Sequence, residues 1–520
     1  MVGVAGKSKG CNTCRKRKVA CDQERPACAR CTRSNRVCGG YERERVFVLV
    51  QPAAEKKHIF LKPHSLEVSS HSKVLQNGSE ALELLPASTR VRSHEAFYSF
   101  AERGMAYVAM QNRNERHSLI QAFLSTCFPA QHPPSTSRSW ISLLGELPTG
   151  GNALDLSSAA IAASVIGRSF QNNTLIRESL KLYTQGLQQL QRALWDPNLM
   201  REDGTLAACM ALSLYEALEC PSAGSDGYFS HCKGILALVQ ARGVYAHSSG
   251  AGHQLFLGVR IPGILYGLEC QTPNFLFDSI WIEQPWRGTQ KPFFHQVADC
   301  LSQAPSILQR VQTLPHLSPD QQAQLIHDLV RECWQIDGSL DRIYDEMHFA
   351  TSEPLYWLVP SQSNLCAVTG PCRNLFPVSF CFTDPESATT LILLWAVRVM
   401  LWSGLCNLYR IPIPEISVDR VVHTSPVNTS TGEIFEPLPP LGHRLDYPAM
   451  VHHVCQSVEY LLQDELLLAG PLSVSLALGI VIDTIREEPR CVQEATWLQT
   501  ALEVVQRRGL GVLKYARSGR

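Results

Sequence analysis

The 520 residues lack the marks of several common protein classes. The length allows two or three domains. Residues 93 onward contain no HExxH, no GxSxG and no Rossmann glycine pattern. The GxSxG letters do occur at Gly6-Lys7-Ser8-Lys9-Gly10. A nucleophile elbow needs a strand before it and a helix after it, and this short lead has room for neither. Gly6-Lys7-Ser8 also matches the end of a phosphate loop, but Met1 stands where its first glycine belongs. The opening MVGVAGKSKG has no apolar run, so no secretory signal is visible. The sequons at Asn77, Asn172 and Asn428 therefore carry little weight, and the thiols are expected to be reduced. No repeat of fixed period appears.

Net charge is also missing, with 47 Lys and Arg against 47 Asp and Glu. A neutral chain argues against a nucleic-acid binder until the charge is mapped. Residues 1–46 hold twelve basic and four acidic residues, a net of +8, so the remainder sums to −8. A compact basic end on an acidic body points to a local polyanion-binding element. The 45% hydrophobic and 18% charged content is that of a globular chain, not a disordered one.

A membrane span is weighed at residues 391–409, LILLWAVRVMLWSGLCNLY. Arg398 sits near its centre, where a lone charge in lipid is costly. No basic loop flanks it, so it reads as a core helix, with no membrane partner.

The chain divides into a lead (1–10), a cysteine-rich segment (11–38), a linker (39–92) and a body (93–520). The linker holds Pro52, Pro63 and one strand-like run, Val46 to Val50. The body reads as all-α. Ile176, Leu180, Tyr183, Leu187, Leu190 and Leu194 make an apolar stripe that ends at Trp195-Asp196-Pro197. Asp203 caps a second helix carrying Leu206, Met210, Leu214 and Leu218. A third runs from about Tyr228 to Arg242 and stops at Gly243. Further helices are expected near 292–312, 318–347, 386–410, 447–466, 471–486 and 494–513, with no strand alternation of comparable length. Residues 411–446, rich in Pro, Thr and Ser, read as a surface excursion. His452, His453 and Cys455 lie in a helix, where adjacent histidines diverge, so packing is favoured over metal binding.

Six of the nineteen cysteines fall within residues 11–38, as Cys11-x2-Cys14-x6-Cys21-x6-Cys28-x2-Cys31-x6-Cys38. The two halves are the same Cys-x2-Cys-x6-Cys unit. Each supplies three thiolates, whereas zinc takes four in a tetrahedron. Two halves satisfy two zinc ions only if two sulfurs are shared. Disulfides would need an oxidising compartment, and single-ion fingers need other spacings. The segment is also too short and too poor in large apolar residues to fold without metal.

The run CNTCRKRKVACDQERPACARCTRSNRVC resembles the binuclear zinc cluster (Zn2Cys6) domain of fungal transcription factors, in every cysteine, in its basic run and in Pro26. The resemblance implies that Cys11 and Cys28 bridge the metals. Cys14 and Cys21 would complete one site, and Cys31 and Cys38 the other.

Arg15, Lys16, Arg17 and Lys18 are four consecutive cations between Cys14 and Cys21, and Arg30, Arg33 and Arg36 add charge in the second half. Most should meet phosphates. The same run can serve as a nuclear import signal. Lysine donates well to guanine O6 and N7. The resemblance places the base-reading lysine at Lys18, with Arg17 next, on a CGG-type half-site in double-stranded DNA. Members of the family often dimerise through a coiled coil behind the cluster. Residues 39–92 lack sustained heptads, leaving a monomer or a dimer through the body.

Leu206 to Glu216 (LAACMALSLYE), then Tyr228, His231, Gly234 and the Leu236–Gly243 run, resemble the fungus-specific helical domain found after such clusters. So does Gly40 to Arg45 after the last cysteine. The implied protein is a nuclear, zinc-dependent regulator of RNA polymerase II transcription that contacts the transcription machinery. It would serve one catabolic or secondary-metabolite pathway. Two other classes are weighed: an enzyme whose body does chemistry, and a zinc-held protein-interaction module. No catalytic constellation supports the first. The lysines of the basic run oppose the second, because interface cores are depleted of lysine.

Overall fold

In the computed structural model, the described residues are 11–38 (apart from 18, 23, 25, 26 and 35), 113–127, 139–147, 152–219, 225–362, 375–411 and 438–507. The lead, the linker with its Val46–Val50 run, Lys18, Pro26 and most of the 411–446 excursion lie outside them. So do Gly40 to Arg45, Asn77 and Asn428. The chain falls into two compact units, residues 1–75 and 76–520.

Among its described residues, the first unit holds two five-residue helices, α1 (Asn12–Lys16) and α2 (Ala29–Arg33). Helices this short do not persist in water on their own. Among the described residues, the buried cluster between them consists of cysteines: Cys11, Cys14, Cys28 and Cys31 are fully inaccessible, with Val19, Cys21 and Cys38 packed around them.

Over its described residues, the second unit is helical with one small hairpin. Its helices are α3 (Arg113–Cys127), α4 (Asn152–Ser169), α5 (Asn173–Trp195), α6 (Asp203–Glu219), α7 (Asp226–Arg242), α8 (Gly250–Cys270), α9 (Ser279–Glu283), α10 (Phe293–Leu301), α11 (Ala304–Thr313) and α12 (Pro319–Phe349). After the hairpin come α13 (Pro385–Arg410), α14 (Tyr447–Leu461), α15 (Ala469–Ile485) and α16 (Val492–Arg507). Helices α3 to α7 pack in sequence order around α4 and α6; α12, α14 and α15 gather about α13, and α16 packs on α14 and α15. Helix α10 touches both α8 and α13 and so joins the two groups, giving one continuous core.

Local chemistry sets many of the helix ends. Asn172 accepts from Thr174 N and Leu175 N and starts α5, so this sequon asparagine is a helix cap. Ser318 and Gln321 form a capping box at α12, and Gly243 ends α7 with φ +82°. The stretch expected at 292–312 is broken at Ser302 and Gln303 into α10 and α11.

The stripe expected on α5 is rotated. Leu175, Ser179, Leu182, Tyr183, Gly186 and Leu190 are buried, whereas Leu180 is 48% exposed. The cause is Gly186. A Cβ there would lie 2.9 Å from Ser157 Oγ, so its absence lets α5 approach α4 closely, on the helix face that also buries Leu182 and Leu190.

The hairpin was not expected. β1 (Tyr356–Pro360) and β2 (Val378–Phe382) pair antiparallel, with Leu358 opposite Phe380. Five-residue strands show little alternation, and β1 turns Trp357 and Leu358 to solvent. Tertiary contacts hold it: Tyr356, Phe380 and Phe382 surround Trp395 of α13.

Helix α13 is long and apolar enough to cross a membrane, but 83% of its most apolar window is buried inside the body. Its central cation is answered there. Arg398 Nη2 lies 2.6 Å from Asp341 Oδ1, and its Cζ lies 5.4 Å from the Tyr344 ring centre. Next to it sits Asp337, fully buried on α12. It accepts from Trp402 Nε1 at 2.6 Å and from Arg444 Nε at 2.5 Å. Arg444 in turn lies over Trp334, 4.2 Å from the ring centre.

Candidate metal centre and nucleic-acid interface

The two cysteine units repeat with an offset of 17 residues, and their hydrogen bonds repeat too. Cys14 N donates to Cys11 Sγ at 3.4 Å, and Cys31 N to Cys28 Sγ at 3.3 Å. Cys11 N donates to Cys21 Sγ at 3.4 Å, and Cys28 N to Cys38 Sγ at 3.5 Å. The first pair follows from the Cys-x2-Cys turn. The second follows from the ten-residue return. Backbone N–H groups aimed at sulfur favour the thiolate form that a metal requires.

The sulfurs form two sets of four, each mutually within 4.8 Å: Cys11, Cys14, Cys21, Cys28 and Cys11, Cys28, Cys31, Cys38. Cys11 and Cys28 belong to both. At zinc–sulfur distances of about 2.3 Å, a tetrahedron has sulfur–sulfur edges of roughly 3.8 Å. Within the sets, Cys11–Cys28 is 3.6 Å, Cys14–Cys28 3.7 Å and Cys11–Cys31 3.8 Å. Cys14 and Cys31, which share no set, are also 3.9 Å apart, so the sulfurs form one knot. All-thiolate donors at these spacings suit zinc, which supplies the positive charge that offsets buried thiolates. Without a cation, burial pushes the Cys14 and Cys28 thiols up.

Sequence reasoning missed how the halves are tied. Asp22 Oδ1 accepts from Ala29 N at 3.1 Å and Oδ2 from Arg30 N at 2.9 Å, so a carboxylate of the first half caps the helix of the second. Backbone N–H groups, Glu24's foremost, hold its carboxyl below the ordinary range. Thr13 Oγ1 donates to Val37 O at 3.0 Å and closes the other side. The only sequence signal was an acid in a basic run, placed seven residues before a helix.

Arg15 and Lys16 lie on α1 and Arg17 directly after it; Lys16 and Arg17 are exposed. Arg17 Nη1 donates to Ser34 Oγ at 3.4 Å. Arg30 and Arg33 are exposed on α2, and Arg36 is exposed beyond it. The second group considered, on α14, splits apart. His452 Nε2 lies 2.9 Å from Glu494, His453 Nδ1 donates to Ala449 O at 2.7 Å, and Cys455 is buried. Among the described residues, the cysteine knot is where metal-ligating side chains converge.

Residues 9–45 match the fungal Zn(2)-Cys(6) binuclear cluster domain. Over 39 residues (7% of this chain, 6% of the relative), the chain is 56% identical to the aspercryptin biosynthesis cluster-specific transcription regulator atnN of Emericella nidulans. Over 41 residues (8% and 5%), it is 54% identical to arginine metabolism regulation protein II of Saccharomyces cerevisiae. A longer likeness, 22% over 250 residues, covers 46% of this chain and 52% of an uncharacterized protein of Emericella nidulans. The chain thus spans about half, or much less, of the length of these relatives. No solved structure matches. The cysteine spacing, the two sulfur sets and the domain match agree: residues 9–45 are a fungal Zn(2)-Cys(6) binuclear cluster domain, with zinc as its metal, and a helical body follows it.

Proposed function

We propose that the chain is a zinc-dependent, sequence-specific DNA-binding regulator of RNA polymerase II transcription that acts in the nucleus. The carrying observation is that two four-sulfur sets sharing Cys11 and Cys28 clamp two short helices, each presenting exposed cations. In this reading Cys11 and Cys28 bridge two zinc ions, Cys14 and Cys21 complete one site, and Cys31 and Cys38 the other. Lys16, Arg17, Arg30 and Arg33 meet phosphates together with Arg15, and Lys18 reads bases of a CGG-type half-site. The helical body is the regulatory part. It supplies any self-association and the contacts with the transcription machinery. The names of two relatives, one specific to a biosynthetic cluster and one to arginine metabolism, favour a pathway-specific regulator.

The test is selection from random duplex DNA with the full chain, with and without a zinc chelator. A recovered CGG-containing consensus that vanishes with the chelator supports the reading. Recovery of no consensus from zinc-loaded protein sinks it.

The division of labour among the cations is separately testable. Lys18→Ala is expected to cost about 1–3 kcal/mol on the cognate site and little on random DNA. Arg15→Ala should weaken both alike and flatten the log-affinity against log-salt slope by about 0.9. Fluorescence anisotropy titrations on both DNAs over a salt series separate the two. Equal, sequence-blind losses from both variants would contradict the role of Lys18.

A further inference from the structure

The hairpin of the helical body leaves one strand edge open. Leu355 O accepts from Thr383 N at 3.3 Å, and Ser361 N donates to Pro377 O at 3.0 Å. With Trp357 opposite Cys381, this fixes the ladder. The odd-numbered residues of β1 bond β2, so Tyr356 and Leu358 turn their N–H and C=O groups the other way. Among the described residues, no strand lies on that side. Trp357 is 45% exposed and Leu358 62%. The far edge of β2 is different. Helix α14 packs against β2, and Gln456 Nε2 donates to Val378 O at 3.3 Å.

An open edge is a template for another strand, and native proteins blunt it with charge, proline or a cover. Residues 354–362, PLYWLVPSQ, carry no charge. The prolines are placed symmetrically: Pro354 and Pro360 each stand three residues from Trp357. That symmetry suits one kind of partner. In an antiparallel pair of two β1 strands with Trp357 opposite Trp357, Tyr356 of each copy faces Leu358 of the other. Each of these two facing pairs exchanges an N–H···O bond in both directions. Pro354 then meets Pro360, where neither strand has a donor to lose. Centring the pair on Leu358 or Tyr356 instead sets a proline against the other of the two and leaves that residue's carbonyl without a donor.

We infer that a second copy of this chain pairs with the β1 edge, in a two-fold dimer with Trp357 on the axis. An uncharged strand suits such a contact, because a charge near the axis would meet its own like. The cover on β2 stops the combined sheet at four strands, so the pairing closes instead of growing into a fibre. The size of the contact also favours a second copy. Two five-residue strands bury well under the roughly 1,200 Å² of a stable interface. So small a contact fills when its partners are held close, and two copies bound to neighbouring half-sites on one DNA hold each other so. In that respect the inference rests on the proposed function, to whose self-association through the body it gives a surface.

The experiment is sedimentation equilibrium of the zinc-loaded full chain without DNA, over a concentration series reaching about 100 μM, which populates contacts smaller than a standard interface. We expect a reversible monomer–dimer equilibrium. Trp357→Glu and Trp357→Lys each set like charges against one another on the axis, and each alone should sediment as a monomer. Their equimolar mixture sets a carboxylate against an ammonium and should dimerise again. Leu358→Pro removes one outward donor, leaves the bonds to β2 in place and should also be monomeric; it makes the test if the charge variants do not fold. A wild type that is monomeric throughout would overturn the assignment, with the edge left to another part of the chain or to another protein. So would a dimer that survives Leu358→Pro, or a mixture of folded charge variants that stays monomeric. Selection on DNA reads the cysteine module, so a monomeric chain that still returns a CGG consensus fails here and leaves the proposed function standing.

Discussion

Cys28→Ser is expected to abolish the folded cluster, not to weaken it. Cys28 lies in both sulfur sets, receives the Cys31 N–H at 3.3 Å and is the N-cap of α2. Removing it takes one ligand from each tetrahedron at once. Structural zinc supplies about 10–16 kcal/mol of folding free energy in zinc-finger peptides, and among the described residues the buried centre here consists of cysteines. Atomic-absorption analysis should fall from two zinc ions per wild-type chain to fewer than one, with DNA binding lost. Cys38→Ser is the contrast. Cys38 belongs to one set alone, so this variant should keep one ion. Retention of one well-bound ion by Cys28→Ser would exclude bridging, and a wild type with a single ion would exclude the binuclear centre. Acid acts in the same direction, since each ligand must lose its proton to bind and thiolates are recaptured by protons as pH falls.

The second large effect is expected in the body. Asp337 is fully buried and satisfies Trp402 and Arg444 together. Asp337→Ala leaves the Arg444 guanidinium short of its partner in a site with little water. Asp341 Oδ2, 3.7 Å from Arg444 Nη2, is a poor substitute. The expected cost is about 3–5 kcal/mol of stability, read as a fall in the urea midpoint of the body. The double variant Asp337→Leu with Arg444→Met removes both charges and should be milder than Asp337→Ala. A single variant no worse than the double would show that the pair contributes nothing. The zinc content should stay at two ions in both, because the six cysteines of the two sulfur sets all lie within residues 11–38.

Much of this was legible along the chain because it depends on spacing. A Cys-x2-Cys turn places two sulfurs together through local geometry alone, and two three-ligand units dictate sharing by arithmetic. Helix ends at Asn172, Gly243 and Ser318 are local as well, since caps are short-range hydrogen bonds. The core nature of α13 was readable from one arginine in an apolar run.

Other features depended on contacts between segments distant in sequence. The face of α5 was settled by Gly186 meeting Ser157, a close approach that apolar periodicity does not report. The hairpin exists because Trp395 needs Tyr356, Phe380 and Phe382 around it, while its strands carry little signal of their own. Asp22 became a cap for α2 only when the knot folded the halves together. Likewise, residues 253 to 299 show no motif, and the packing of His253, Arg260, Lys291 and His295 around the Trp286 ring emerges from docking α8 against α10. By itself the sequence determined the metal centre and the helical class, because both follow from the order of neighbouring residues. Tertiary structure alone decided which faces are buried and what answers Arg398 and Asp337, because burial and pairing are properties of contacts across the chain.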